Sequence, residues 1–71
     1  MLDLREWLLN YRKKAGLSQE NIAKHSEISQ QMYAAVETGA RNPSVETAKK
    51  IAEVLDFGWT RFFEDINKNT A

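Results

Sequence analysis

The chain has 71 residues, which is enough for one compact domain. It contains no cysteine, so disulfides and thiolate metal sites are excluded. Ten basic and ten acidic residues give a formal net charge of zero, whereas domains that bind nucleic acid are usually basic. No apolar run approaches the length of a membrane span, and the N-terminus lacks the apolar block of a signal peptide. We therefore expect a globular protein of the cytoplasm.

The N-terminal part of the chain predicts two helices. Apolar side chains at helical spacing favour a first helix from about Leu2 to Ala15. Gly16 follows, and glycine commonly stands just past a helix end. Ser18 is a good N-cap for a second, short helix that ends near Ser26.

Three further helices follow, and no segment shows the alternation of a strand. They are predicted from Gln30 to Thr38 after the cap Ser29, from the cap Ser44 to a point before Gly58, and from Trp59 to about Asp65. Gly39 to Pro43 forms a loop between the first two of these. Residues 1–66 thus form one predicted all-α domain, and residues 67–71 a polar, disordered tail.

The stretch from Gly16 to Ser44 holds a short helix, a tight turn and a second short helix, which is the helix-turn-helix arrangement. It resembles the Cro and phage-repressor (XRE-type) family of regulators. The matching fragments are Gly16-Leu17-Ser18-Gln19, Ile22-Ala23, Ile28-Ser29, Val36-Glu37-Thr38-Gly39, Arg41-Asn42-Pro43-Ser44 and Ala48 to Leu55. They keep the family's register over nearly the whole chain. The resemblance implies a compact five-helix bundle, the lambda-repressor-like DNA-binding domain.

The resemblance also implies which residues meet double-stranded DNA. Gln30 and Gln31 match the base-reading positions of the third helix, and glutamine can pair bidentately with adenine in the major groove. One turn further, Ala34 and Ala35 replace the longer polar side chains that are common there, and their methyl groups suit thymine methyls.

Phosphate contacts are expected from a second set of residues: Gln19, Arg12, Lys24, Arg41 and Asn42. Gln19 matches the family's phosphate-contacting glutamine, which also braces the base-reading side chains. Arg41 and Asn42 lie in the loop that approaches the DNA backbone in the family, where contacts position a protein without reading sequence. The part played by Arg5 stays open.

An ion pair between Arg12 and Glu37 is implied as well, and it would join the third helix to the first. Two positions depart from the family's pattern. Glycine is usual where this chain has Glu27, so a left-handed backbone there costs about 1–2 kcal/mol. Tyr33 replaces an aliphatic residue, and we expect it to be only partly buried.

The C-terminal part is rich in aromatic residues, with Phe57, Trp59, Phe62 and Phe63 close together. This is more apolar surface than one short helix can bury, and exposed apolar patches mark partner sites. Phage-repressor relatives often dimerise through this end of the fold. We therefore expect a homodimer interface around Phe57, Trp59 and Arg61.

The predicted function is a sequence-specific regulator of transcription, a repressor that binds a palindromic operator as a homodimer. The alternative is a helix-turn-helix module for protein interaction, such as an antitoxin or a phage accessory protein. Zero net charge, the two alanines and the aromatic C-terminus favour that alternative. His25 is the single histidine, and no set of nucleophile, base and orienting group is visible. We expect no enzyme activity, metal, cofactor, small-molecule ligand or membrane contact.

Overall fold

The computed structural model describes residues 4–64. They form four α-helices, α1 (Glu6–Ala15), α2 (Gln19–His25), α3 (Gln30–Thr38) and α4 (Val45–Leu55), and a last helical turn, α5, at residues 61–64. No strand occurs in this part of the chain, so the all-α five-helix prediction is confirmed. None of the helices seen between residues 4 and 64 is long and apolar enough to cross a membrane. The predicted domain end at residue 66 and the tail at 67–71 lie outside the described residues.

Serine caps begin three of the helices, as the sequence predicted. Each serine hydroxyl accepts a hydrogen bond from the backbone N–H three residues later, in the pairs Ser18–Asn21, Ser29–Met32 and Ser44–Thr47 at 3.1, 3.0 and 3.2 Å. These bonds satisfy N–H groups that lack a partner within the helix. Because the caps fix where α2 and α3 begin, they also fix which side chains share a helix face.

The first helix begins later than predicted. α1 starts at Glu6, and Arg5 before it has non-helical dihedral angles, φ −79° and ψ 79°. The backbone N–H of Arg5 donates to the carbonyl oxygen of Glu37 (2.9 Å), which takes the chain across the end of α3. Leu4 is 47% exposed and lies outside the helix. Leu2 and Asp3, which were also assigned to this helix, are outside the described part.

The last helix also begins later than predicted. Trp59 and Thr60 lie in a turn, and their carbonyl oxygens accept from the N–H groups of Phe62 and Phe63 at 3.2 and 2.9 Å. The helical conformation covers residues 61–64. Asp65, the predicted end, lies outside the described residues.

The core lies between all five helices. Its buried apolar residues are Leu8, Ile22, Ala23, Tyr33, Val36, Ala48, Ile51, Ala52, Leu55 and Phe62. Tyr33 is completely buried, so the expectation of partial burial was wrong. Its hydroxyl donates to Oε2 of Glu37 (2.9 Å), and the ring is therefore buried without leaving a polar group unsatisfied.

The turn between α2 and α3 contains the left-handed residue that the resemblance suggested. Glu27 has φ 60°, a conformation that favours glycine. The next N–H, of Ile28, donates to the carbonyl oxygen of Ala23 (3.0 Å). Lys50 Nζ on α4 lies 2.9 Å from Oε1 of Glu27, so an exposed ion pair attaches the turn to α4.

Candidate nucleic-acid interface

One face of α3 is accessible from outside the bundle. Gln30 and Gln31 are exposed in its first turn, and half-buried Ala34 and Ala35 follow one turn later. None of these four side chains carries a charge. Glu37, the single acidic residue of α3, is buried on the other side of the helix. The accessible face is therefore uncharged, so it does not repel phosphates.

A buried carboxylate holds α3 against α1 and α2. Arg12 donates to Glu37 through Nε to Oε2 (2.7 Å) and through Nη2 to Oε1 (3.2 Å), a bidentate pair. Gln19 Nε2 donates to Oε1 (3.0 Å), and the Tyr33 hydroxyl donates to Oε2. Arg12 Nη1 also donates to the carbonyl oxygen of Leu17 (3.1 Å). We call Arg12, Gln19, Tyr33 and Glu37 the Glu37 network.

The charges in this network are fixed at neutral pH. Burial by itself would raise the pKa of Glu37, but hydrogen bonds from Arg12, Gln19 and Tyr33 outweigh burial and lower that pKa below its usual value. The hydrogen bond to Glu37 raises the pKa of Arg12 against the opposite effect of desolvation. Burial, and then the bond to the carboxylate, raises the pKa of the Tyr33 hydroxyl. Arg12 is thus a cation, Glu37 an anion and Tyr33 neutral.

The predicted phosphate-contacting residues differ in how accessible they are. Gln19 is half-buried, and its side-chain amide donates to Glu37 rather than to Gln30 or Gln31. The side chain of Arg12 is 17% exposed and is bound to the same carboxylate. Lys24 is exposed on α2. Two of these candidates thus belong to the Glu37 network.

The loop between α3 and α4 places the two remaining candidates at the surface. Arg41 and Asn42 are both exposed. The backbone N–H of Arg41 donates to the carbonyl oxygen of Ala35 (3.1 Å), and its Nη1 lies 3.6 Å from Sδ of Met32. Asn42 Oδ1 accepts a hydrogen bond of 2.6 Å from Nη2 of Arg5. The loop is therefore fastened both to α3 and to the start of α1.

Arg5 is the residue next to this surface whose contacts sequence reasoning missed. It is only 4% exposed. Its Nη1 donates to the carbonyl oxygens of Val36 (2.5 Å) and Arg41 (3.0 Å), and its Cζ lies 5.7 Å from the centre of the Phe62 ring. The acceptors come from the end of α3 and from the following loop, more than 30 residues along the chain. No pattern near residue 5 could have indicated them.

The residues predicted for a dimer interface are partly covered by their own chain. Phe57 is half-buried and stacks on Tyr11, with ring centres 4.9 Å apart. The guanidinium of Arg61 lies 4.8 Å from the centre of the Trp7 ring. Trp59 is half-buried as well. In the described part of the chain, no group of His, Asp and Glu residues is arranged to hold a metal ion.

Two short helices joined by a tight turn, with the second one open to solvent along an uncharged face, define a helix-turn-helix domain. The helix-turn-helix family model matches residues 8–62. The chain is 45% identical over 67 residues to YqaF, an uncharacterized HTH-type transcriptional regulator of Bacillus subtilis (strain 168). The aligned residues cover 94% of this chain and 88% of YqaF. It is 41% identical over 44 residues to y4dJ, an uncharacterized HTH-type transcriptional regulator of Sinorhizobium fredii. That alignment covers 62% of this chain and 57% of y4dJ. The chain therefore belongs to the XRE-type helix-turn-helix family of transcriptional regulators.

Proposed function

We propose that this protein is a sequence-specific regulator that reads the major groove of duplex DNA with α3. The exposure of Gln30 and Gln31 in the first turn of α3 carries this proposal. In helix-turn-helix proteins the N-terminal residues of the second helix contact base edges. Glutamine pairs with adenine, and the methyl groups of Ala34 and Ala35 suit thymine. We therefore expect A·T pairs at the positions that α3 reads.

The phosphate contacts come from elements on both sides of α3. Lys24 is exposed on α2, and Arg41 and Asn42 are exposed in the loop after α3. Gln19 keeps one amide hydrogen beyond its bond to Glu37, and Arg12 supports the same edge of the bundle. These groups bind phosphate without sequence preference and set the register of α3 in the groove.

The distribution of arginines predicts weak binding to DNA of arbitrary sequence. Within residues 4–64, Arg5 is buried, Arg12 is paired with Glu37 and Arg61 lies over Trp7. Arg41 is exposed, and within that range its guanidinium is neither in an ion pair nor over an aromatic ring. Non-specific affinity and its salt dependence scale with the number of phosphates neutralised, so both should be modest. Specific contacts from α3 must then supply much of the affinity for the operator.

A homodimer on a palindromic operator completes the proposal. Two copies would place their α3 helices about 34 Å apart, one turn of DNA. The interface is proposed around Phe57, Trp59 and Arg61, with support from the half-exposed rings of the two aromatic residues. Repression needs only that the dimer occupies a promoter, which a DNA-binding domain of this size can do alone.

Selection of bound duplexes from a random library tests the proposal. The expected result is an enriched palindrome whose half-sites lie one helical turn apart, together with a dimer in sedimentation of the complex. The control is the double variant Gln30→Ala and Gln31→Ala, which changes only exposed side chains and should lose the enrichment.

The alternative function, a module for protein interaction, is supported by the zero net charge and by the half-exposed aromatic residues. It predicts no enriched sequence and no salt-dependent retention on heparin or on random duplex DNA. That result would contradict the DNA-binding proposal.

A further inference from the structure

We infer that Arg5 is a positioning residue, which turns the side-chain amide of Asn42 so that its NH₂ group faces a DNA phosphate. The inference rests on the proposed DNA binding and assigns a role to a residue that does not itself reach DNA. Arg5 is 4% exposed, and its guanidinium is directed at groups of its own chain. It can therefore act on DNA only through the residues it holds.

Arg5 joins the elements that frame the loop between α3 and α4. Its guanidinium donates to the carbonyl oxygens of Val36, at the end of α3, and of Arg41, in the loop. It also lies next to the ring of Phe62 in α5. The backbone of the loop is thus held in place at Arg41, directly before Asn42.

The bond from Arg5 to Asn42 determines which end of the amide points outward. A guanidinium has donors and no acceptor, so only the oxygen of an amide can face it. The structure has Oδ1 of Asn42 at 2.6 Å from Nη2 of Arg5. Nδ2 must then point away, and among residues 4–64 it donates no hydrogen bond. Phosphate oxygens accept hydrogen bonds and donate none, so this is the orientation that DNA requires.

The backbone around Asn42 strengthens the effect. Asn42 precedes Pro43, and a residue before proline is restricted to extended conformations. Pro43 is itself buried, while Asn42 is exposed. The amide of Asn42 is therefore oriented before DNA arrives, which lowers the entropy lost on binding.

A double-mutant cycle with Arg5→Met and Asn42→Ala tests the inference, with the full chain and a short duplex of arbitrary sequence as the probe. The bond that is lost runs from a neutral amide to a charged phosphate, so we expect each single variant to weaken DNA binding by about 10-fold. The double variant should bind no more weakly than the single ones, because Arg5 acts through Asn42. Arg5→Met should still lower the thermal stability in the Asn42→Ala background, because its bonds to Val36 and Arg41 remain to be lost.

Salt dependence separates positioning from direct contact. Neither Arg5→Met nor Asn42→Ala removes a charge that faces phosphate, so the slope of log affinity against log salt should stay unchanged. If Arg5→Met lowers the slope, Arg5 contacts DNA itself and the inference is wrong. If the affinity losses of the two variants add, Arg5 acts by a route other than Asn42, and the inference is also wrong.

Asn42→Asp provides the matched control. Its carboxylate still accepts from Arg5 but has no donor for phosphate, so stability should be kept while DNA affinity falls below that of Asn42→Ala. If Arg5→Met does not fold, Arg5→Lys replaces it in the cycle, since a lysine keeps the charge but lacks the planar fork. A wild-type protein that binds neither this duplex nor any duplex of the random library overturns the proposed function and this inference together. A wild type that binds, with variants that bind equally well, overturns this inference alone.

Discussion

Arg12 and Glu37 are 25 residues apart in the sequence, yet their side chains meet at 2.7 Å. Arg12 belongs to α1, and Glu37 lies in the last turn of α3. Gln30 and Gln31 lie at the other end of the same helix. Because a helix is rigid, a pair that fixes its last turn also fixes the direction in which its first turn points.

The first prediction concerns the removal of Arg12. Arg12→Ala leaves the Glu37 carboxylate buried with only Gln19 and Tyr33 as donors. Removing one partner of a buried pair is costly, so the free energy of unfolding should fall by about 3 kcal/mol in urea denaturation. Lys13→Ala, at the exposed neighbouring position, should change it by less than about 0.5 kcal/mol. Equal effects of the two variants would mean that the ion pair does not stabilise the fold.

The second prediction is the loss of stability in acid. The pKa of Glu37 is lower in the folded protein than its ordinary value of 4.5. Its ionised form therefore contributes stability that is fully present above that value and is lost as the pH falls through the lower, folded-state pKa. Denaturation at several pH values should show a steeper acid loss for the wild type than for Glu37→Gln, whose side chain does not titrate. If the stabilities of the two proteins fall in parallel with pH, ionised Glu37 does not contribute the stability that is lost in acid.

The parts of the fold that the sequence predicts are those that depend on neighbouring residues. Ser18, Ser29 and Ser44 begin helices, and Gly16 and Gly39 end them in the left-handed conformation, because capping is decided within one helical turn. The exposure of Gln30 and Gln31 follows from the cap at Ser29 in the same way. The predictable part of the site is therefore the face of α3.

The features that were missed depend on residues distant in the sequence. Arg5 receives its acceptors from Val36, Arg41 and Asn42, which no local pattern brings near it. The hydroxyl of buried Tyr33 likewise finds its acceptor in the Glu37 carboxylate, which the distant Arg12 binds as well. Contacts between residues so far apart in the sequence form only when the helices pack into the bundle.

The third prediction concerns the strained turn. Glu27 has φ 60°, so Glu27→Gly should remove about 1–2 kcal/mol of strain. Part of that gain is lost to the greater freedom of glycine in the unfolded chain and to the exposed pair with Lys50. Glu27→Ala is the matched control, because it loses the same ion pair and keeps the strain. Thermal denaturation should place the glycine variant above the alanine variant, and the reverse order would show that this backbone is not strained.

The fourth prediction concerns base reading. Gln30→Ala should weaken binding to the selected operator by about 1–3 kcal/mol and relax the preference at one base pair. Gln30 is exposed and alanine favours helix, so the stability of the fold should not decrease. Titration of the operator and of single-base variants measures both effects. Glu53→Ala, an exposed change on α4, is the control and should leave operator affinity unaltered.

The last prediction concerns the loop after α3. Arg41 is exposed, and within residues 4–64 its Nη1 is close to no acceptor except the weakly accepting sulfur of Met32, so its charge is available to a phosphate. Arg41→Ala should weaken binding to every duplex to a similar extent and lower the slope of log affinity against log salt by about one. Arg61→Ala removes the same charge from a guanidinium that lies over Trp7 and should leave the slope as it is. If both variants change the slope equally, the effect belongs to the net charge of the protein, and Arg41 does not contact the backbone of DNA.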